Sequence, residues 1–169
     1  LVALGRFMHE CATIHEADDG RLVVYSGDDT VNQCLYKYIS SEPRDLKNGK
    51  LYVADLVNGK WLSLDINDNT KLKESFKNQT EIQIHTREAA KLVGGTPLDR
   101  PEDIEIDPIT GHVFVSLTNN FPKGNKHGSI LKIIEDENDM FGLSFQHETF
   151  LTGGKETGFA CPDNMAFDK

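Results

Sequence analysis

Arg100 and Glu102 stand on either side of a proline in GTPLDRPEDIEID, Gly95 to Asp107, where an apolar alternating run begins. A guanidinium is a planar fork that grips carboxylate or phosphate oxygens bidentately. A carboxylate two residues away either pairs with it or ligates a cation. Two other stretches offer acids at the same place. PDNMAFD from Pro162 repeats the pattern of PEDIEID from Pro101, 61 residues later, and puts Asp163 in the position of Glu102. Glu10, in RFMHECATIHEADDG, precedes Gly20 by ten residues, much as Glu102 precedes Gly111 by nine. Carboxylates brought together repel one another, so three equivalent acids call for an arginine or a cation among them.

Other groups are open to two readings. Asp28 and Asp29 of YSGDDT follow a strand and are either a further acid pair at the same mouth or an ordinary Asp-rich turn. His9, beside Glu10, is either a metal ligand or a hydrogen-bonded structural residue. His127 of NKHGSI and Asn119-Asn120 of SLTNN also follow strand ends. Asparagine oxygen suits calcium, but an Asn pair after a strand also makes a turn. Pro101 biases Arg100 toward an extended backbone, which would aim its side chain reproducibly. Nucleophilic serine, P-loop and dinucleotide motifs are absent, and HECATIH has the wrong spacing for a zinc-binding HExxH.

The elements that must hold these residues are mostly strands. GRLVVYS from Gly20, GKLYVAD from Gly49 and GHVFVSL from Gly111 each join a glycine turn to a β-branched and aromatic run. Their glycines lie 29 and 62 residues apart, close to one and two units of about thirty. CLYKYIS and SILKIIED supply further strands. Short antiparallel strands recurring in this way predict an all-β fold: a partial β-propeller of about three blades, with a β-sandwich as the alternative. In a propeller the innermost strands line a central channel, and EDIEID would set Glu102 at its mouth. One short helix is expected in HTREAAKLVGG, capped by Thr86 and stopped by Gly94. DINDNTKLKESFKNQTE and EDENDMFG are polar and are expected to be surface connections.

Composition limits the partners. The chain has 169 residues, 38% of them hydrophobic, and a formal net charge of −9, which suits one globular domain over residues 1–169. The acid excess and the lack of a basic stripe argue against nucleic-acid binding. No apolar run approaches the ~20 residues needed to span a bilayer. The opening LVALGRF and the ending CPDNMAFDK suggest a piece of a longer protein. Cys11, Cys34 and Cys161 form no zinc or disulfide pattern and are expected to be small buried side chains.

Taken together, LGRFMHECATI, VVYSGDD, YKYIS, GKLYVADL, TREAAKLVGGTPLDRPEDIEIDPITGHVFVSLTNN, HGSI and CPDNMAFD closely resemble the PhoX family of secreted bacterial alkaline phosphatases. The resemblance implies a six-bladed propeller with a calcium and iron cluster at one channel mouth, hydrolysing small phosphate monoesters. It implies export in the folded state by the twin-arginine route, hence a periplasmic or secreted protein. Carried over by motif, Glu10, Asp29, Glu102 and Asp163 resemble metal ligands, and Arg100 resembles the residue that binds substrate phosphate. The sequence departs from the family pattern at Cys11, where glycine is expected, and lacks the upstream segment that carries the family's iron-binding cysteine. Two rival readings are a calcium-dependent sugar lactonase on a similar propeller and a non-catalytic propeller with structural calcium.

Overall fold

A computed structural model describes residues 2–168. The strands are β1 (Thr13–Glu16), β2 (Leu22–Gly27), β3 (Val31–Gln33), β4 (Leu35–Ser40), β5 (Gly49–Asp55), β6 (Lys60–Ser63), β7 (Leu98–Asp99), β8 (Pro101–Ile106), β9 (Val113–Leu117), β10 (Ser129–Glu135) and β11 (Phe145–Thr152). Three short helices, α1 (Thr70–Ser75), α2 (Gln79–Ile84) and α3 (Thr86–Val93), fall between β6 and β7. Pairing is antiparallel throughout. It runs β1-β2-β4-β5-β6 in a five-stranded sheet and β11-β10-β9-β8 in a four-stranded sheet, while β3 and β7 form a small ribbon. Among the described residues no helix is long and apolar enough to cross a membrane.

All three glycine-led segments become strands, but the unit of repetition is larger than thirty residues. Gly20 leads into β2 and Gly49 begins β5, and both strands lie in the same sheet. The matching glycines are Gly20 and Gly111, which turn the β1-β2 and β8-β9 hairpins at φ +81° and +73°. That left-handed backbone carries a steric penalty for any residue with a Cβ, which is why glycine recurs there. The third expected copy, PDNMAFD, forms no strand. β8 is held by β9 folding back beside it, whereas residues 162–168 have no such returning neighbour among the described residues.

Strand alternation sends side chains to two cores. Val23, Tyr25 and Leu35 of the five-stranded sheet pack with Ile104, Val113, Val115, Leu131 and Ile133 of the other. Val24, Tyr36, Tyr38 and Val53 instead meet Leu72, Ile82, Ala89 and Ala90 of the helices. Being covered on both faces explains why β2 is buried at every position. Each large apolar side chain so enclosed contributes roughly 1.5–3 kcal/mol. The first core also holds a polar strut. Lys37 Nζ lies 2.9 Å from Glu135 Oε1, which also accepts from the Tyr25 hydroxyl at 2.5 Å. Trp61 Nε1 donates to Glu135 Oε2 at 3.1 Å. Burial pushes the Lys37 pKa down and the Glu135 pKa up, so each charge is held there by the other and by these donors.

The helical region corrects two expectations. Residues read as surface connection form α1 and α2, because one apolar residue per turn, Leu72 or Ile82, suffices once a sheet offers a surface to cover. The Asn69 and Asn78 side chains cap them, accepting from Lys71 N and Glu81 N. Thr86 is the first helical residue of α3 and not its cap. Its hydroxyl donates to the Gln83 carbonyl at 2.8 Å and accepts from Arg6 N at 2.9 Å. Gly94 ends that helix at φ +105°, as expected.

Candidate functional site

The site forms where the end of β2 meets the start of β8. A Cβ on Gly27 would lie 2.4 Å from the Pro101 carbonyl oxygen, so only glycine lets the two backbones approach this closely. Directly after it, Asp28 and Asp29 turn toward β3, which pairs with β7 through Val31–Asp99 and Gln33–Leu98. That ribbon ties the turn to the residue just before Arg100. On β8 the pairing with β9 shifts between Pro101 and Ile104. Such a bulge re-aims side chains at a strand end, and it leaves both Pro101 and Glu102 buried.

Arg100 is not extended. Its φ is +64°, left-handed and uncommon for a residue with a side chain. Tertiary contacts override the proline's local bias, since the Arg100 carbonyl accepts from Thr118 N at 3.1 Å and its guanidinium is held by two acids. Nε donates to Asp29 Oδ1 at 2.8 Å, and Nη2 lies 2.6 Å from Glu102 Oε1. An arginine carries five N–H donors, so the Nη1–Nη2 edge keeps three that no acceptor takes up among the described residues.

Glu102 is 1% exposed, and its carboxylate oxygens lack aligned hydrogen-bond donors. Burial, then the Asp163 and Asp29 carboxyls, push its pKa up to about 8, while Thr118 and Arg100 pull the other way. One guanidinium is shared among three acids, so the upward push wins. Asp163 is exposed, but its segment is pinned beside β8 and β9. Cys161 N donates to His127 O, Thr118 Oγ1 to Pro162 O, and Met165 N to Asp103 Oδ2 at 2.7 Å. The structure thus brings Asp29, Glu102, Asp163 and Arg100 together, from three separate parts of the chain.

Glu10 stands apart. It is exposed and, among the described residues, makes no hydrogen bond or ion pair, although its neighbours reach the site: His9 bridges Asp28, and the Cys11 thiol donates to Glu102 O at 3.3 Å. His9 is structural, with Nδ1 on Ser26 Oγ and Nε2 on Gly5 O. Burial pushes the Cys11 thiol pKa up, which disfavours the thiolate a metal would need. Of the three cysteines only Cys34 is fully buried; Cys161 is exposed, against expectation. Asn120 is a buried turn residue, donating to Asn32 Oδ1 and Asp99 Oδ1 and capping Lys123 N.

Among the described residues no three His, Cys, Asp or Glu side chains are close enough to hold an ion between them; the Arg100 guanidinium sits between the acids. The donor chemistry still fits a hard cation: oxygen ligands only, one of them a buried carboxylate without aligned donors. Asp28, paired with Asp29 in the sequence reading, has a different task. It is fully buried and held bidentately by Arg87 of α3, Nε to Oδ2 at 2.7 Å and Nη2 to Oδ1 at 2.6 Å. Sequence reasoning missed Arg87. Its signal was a cation in the first turn of a helix, where the macrodipole disfavours one unless an acid faces it.

An acid-rich mouth with one forked cation, built where two antiparallel sheets meet, defines a β-sheet protein suited to binding an oxyanion or a hard metal ion. The sequence matches the alkaline phosphatase PhoX family over residues 1–169, and the chain belongs to that family. Its fold is similar to a solved structure described as Pseudomonas fluorescens PhoX in complex with vanadate, a transition state analogue, with a TM-score of 0.88 and 31% identity. The likeness covers 99% of this chain and 38% of that one. No curated protein matches.

Proposed function

We propose that the full-length protein hydrolyses small phosphate monoesters, with Arg100 gripping the phosphoryl group. The observation that carries this is the Arg100 guanidinium, fixed by Asp29 and Glu102 with three N–H donors to spare, in a chain of the PhoX family. Asp29 and Glu102 fix the plane of the fork, so its free edge meets two phosphoryl oxygens without first losing rotational freedom. As negative charge shifts among those oxygens during ester cleavage, a guanidinium already in place stabilises it.

Glu10, Asp29, Glu102 and Asp163 are the proposed ligands of calcium and iron. When bound, these ions supply Lewis-acid charge beside the ester oxygens. The all-oxygen character of Asp29, Glu102 and Asp163 supports the assignment, and Glu10 is included on its place between His9 and Cys11. In this reading the two sheets are two blades of a six-bladed propeller, and residues 162–168 lead into a third. The complete enzyme works in the periplasm or outside the cell.

Phosphate release from a generic monoester by the full-length protein tests the proposal, with calcium and then with a calcium chelator. Calcium-dependent turnover should fall on the order of a hundredfold or more in Arg100→Ala, as for other oxyanion contacts. A folded, metal-loaded protein that releases no phosphate overturns the proposal.

A further inference from the structure

Arg100 gets its orientation from Asp29, and Asp29 gets its own from the turn that follows β2. Four backbone contacts shape that turn: Asp28 N donates to Cys34 O, Asp29 N to Met8 O, Thr30 N to Asp28 O, and Gln33 N to Thr30 O. A further hold on it comes from the helical insert. Arg87 clamps both oxygens of Asp28, and its Nη2 also donates to Thr30 Oγ1 at 3.0 Å. The residues before and after Asp29 are therefore gripped by one guanidinium. Met8 N adds a weaker contact to Asp28 Oδ1 at 3.3 Å.

The Arg87 side chain is 36% exposed and Asp28 is wholly buried. An exposed ion pair contributes little, but this acid depends on its partner, because a buried carboxylate left alone is strongly unfavourable. Nothing about packing α3 requires this arrangement. Ala89 and Ala90 already seat the helix on the sheet, and Arg87 is spent on the one turn that carries an Arg100 partner.

We infer that Arg87 is a positioning residue for the phosphate site, acting through Asp28 and the 28–30 turn to set Asp29 and hence Arg100. It never touches substrate. The inference rests on the phosphatase reading for its substrate, and on the geometry above for its coupling. A displaced Asp29 would let the Arg100 fork swing, and misplacements of about 1 Å are enough to cost up to a hundredfold in rate.

The test is a double-mutant cycle in the full-length protein, with Arg87→Lys and Asp29→Asn singly and together. The readouts are kcat/KM on 4-nitrophenyl phosphate and, separately, the affinity for inorganic phosphate by calorimetry. Lysine keeps the charge facing Asp28 and loses the fork. Arg87→Lys should lower both readouts by about tenfold in the parent but by less than about twofold in the Asp29→Asn background, because neighbours acting through one another are non-additive. Equal losses in both backgrounds, or no loss, overturn the inference and leave Arg87 a matter of stability alone.

If Arg87→Lys does not fold, Arg87→Gln with Asp28→Asn removes both charges at once and takes its place in the cycle. Failure of that variant to fold also overturns the inference. A parent protein that binds phosphate without hydrolysing it overturns the proposed function while the binding cycle still decides this inference. One that neither binds nor hydrolyses overturns both.

Discussion

Glu102 is where the balance of the site can be measured. Its carboxyl is 1% exposed, and burial, followed by Asp163 and Asp29, pushes its pKa from 4.5 to about 8. In the unfolded chain the same group loses its proton near the lower value. Between the two, the folded state holds a proton that the unfolded state has released. Stability therefore falls as pH rises through that window and stays level above it. At 1.36 kcal/mol per pH unit the full window is worth about 5 kcal/mol at most. Glu102→Gln keeps the shape and cannot ionise. In calcium-chelated full-length protein the variant should match the parent near pH 4.5 and exceed it by about 4 kcal/mol near pH 8.5. Urea denaturation across that range reads the difference. Restoring calcium should reverse the order, since a bound cation favours the carboxylate that the amide lacks. Parallel pH profiles for parent and variant under chelation would refute the reasoning.

Three further outcomes follow from the same contacts. Gly27→Ala would put a Cβ 2.4 Å from a backbone oxygen; it should cost about 2 kcal/mol by denaturation and lower turnover, because β2 and β8 must part. Lys37→Met leaves Glu135 buried without its counter-charge and should cost about 3–5 kcal/mol. Adding Glu135→Gln should recover much of that, since the amide oxygen still accepts from Tyr25 and Trp61. Cys161 is exposed at φ +51°, so Cys161→Gly should raise stability by up to about 1 kcal/mol and leave phosphate release unchanged.

Much of this architecture was legible because strands and glycine turns write themselves locally. Gly20, Gly49 and Gly111 each lead into or begin a strand that exists, and the residue types say so without reference to the rest of the chain. What was illegible depends on contacts across the fold. The thirty-residue period failed because sequence likeness between β2 and β5 cannot say whether two strands share a sheet. Helices α1 and α2 were lost because their apolar residues are sparse, and only the sheet beneath makes that sparse stripe sufficient. At the site, Arg100, Glu102 and Asp29 were legible as a cation and acids at strand ends, and Asp163 by its likeness to Glu102. The division of labour between Asp28 and Asp29 was not, because it is decided by Arg87, 59 residues from Asp28. The bulge that turns Glu102 inward likewise leaves no mark on the strand's alternation.

Arg100 and Cys161 occupy the same place in their respective copies: each precedes a proline and an acid, and each has a left-handed backbone, at φ +64° and +51°. A shared distortion with different side chains cannot originate in the side chain. Each is fixed by the backbone of a neighbouring segment: the Arg100 carbonyl accepts from Thr118 N, and Cys161 N donates to His127 O. The kink therefore belongs to the repeated backbone, and the arginine is what one copy adds to it. Since a left-handed residue before proline turns its side chain out of the line of the strand, both of these copies offer a side chain beside the acid that follows, whatever that residue is. Only the copy at residue 100 places a cation there, and the acids around it outnumber it three to one. In the proposed reading that asymmetry gives the described site a single clamp, for one phosphoryl group at a time, with the surplus carboxylates left to meet a further positive charge.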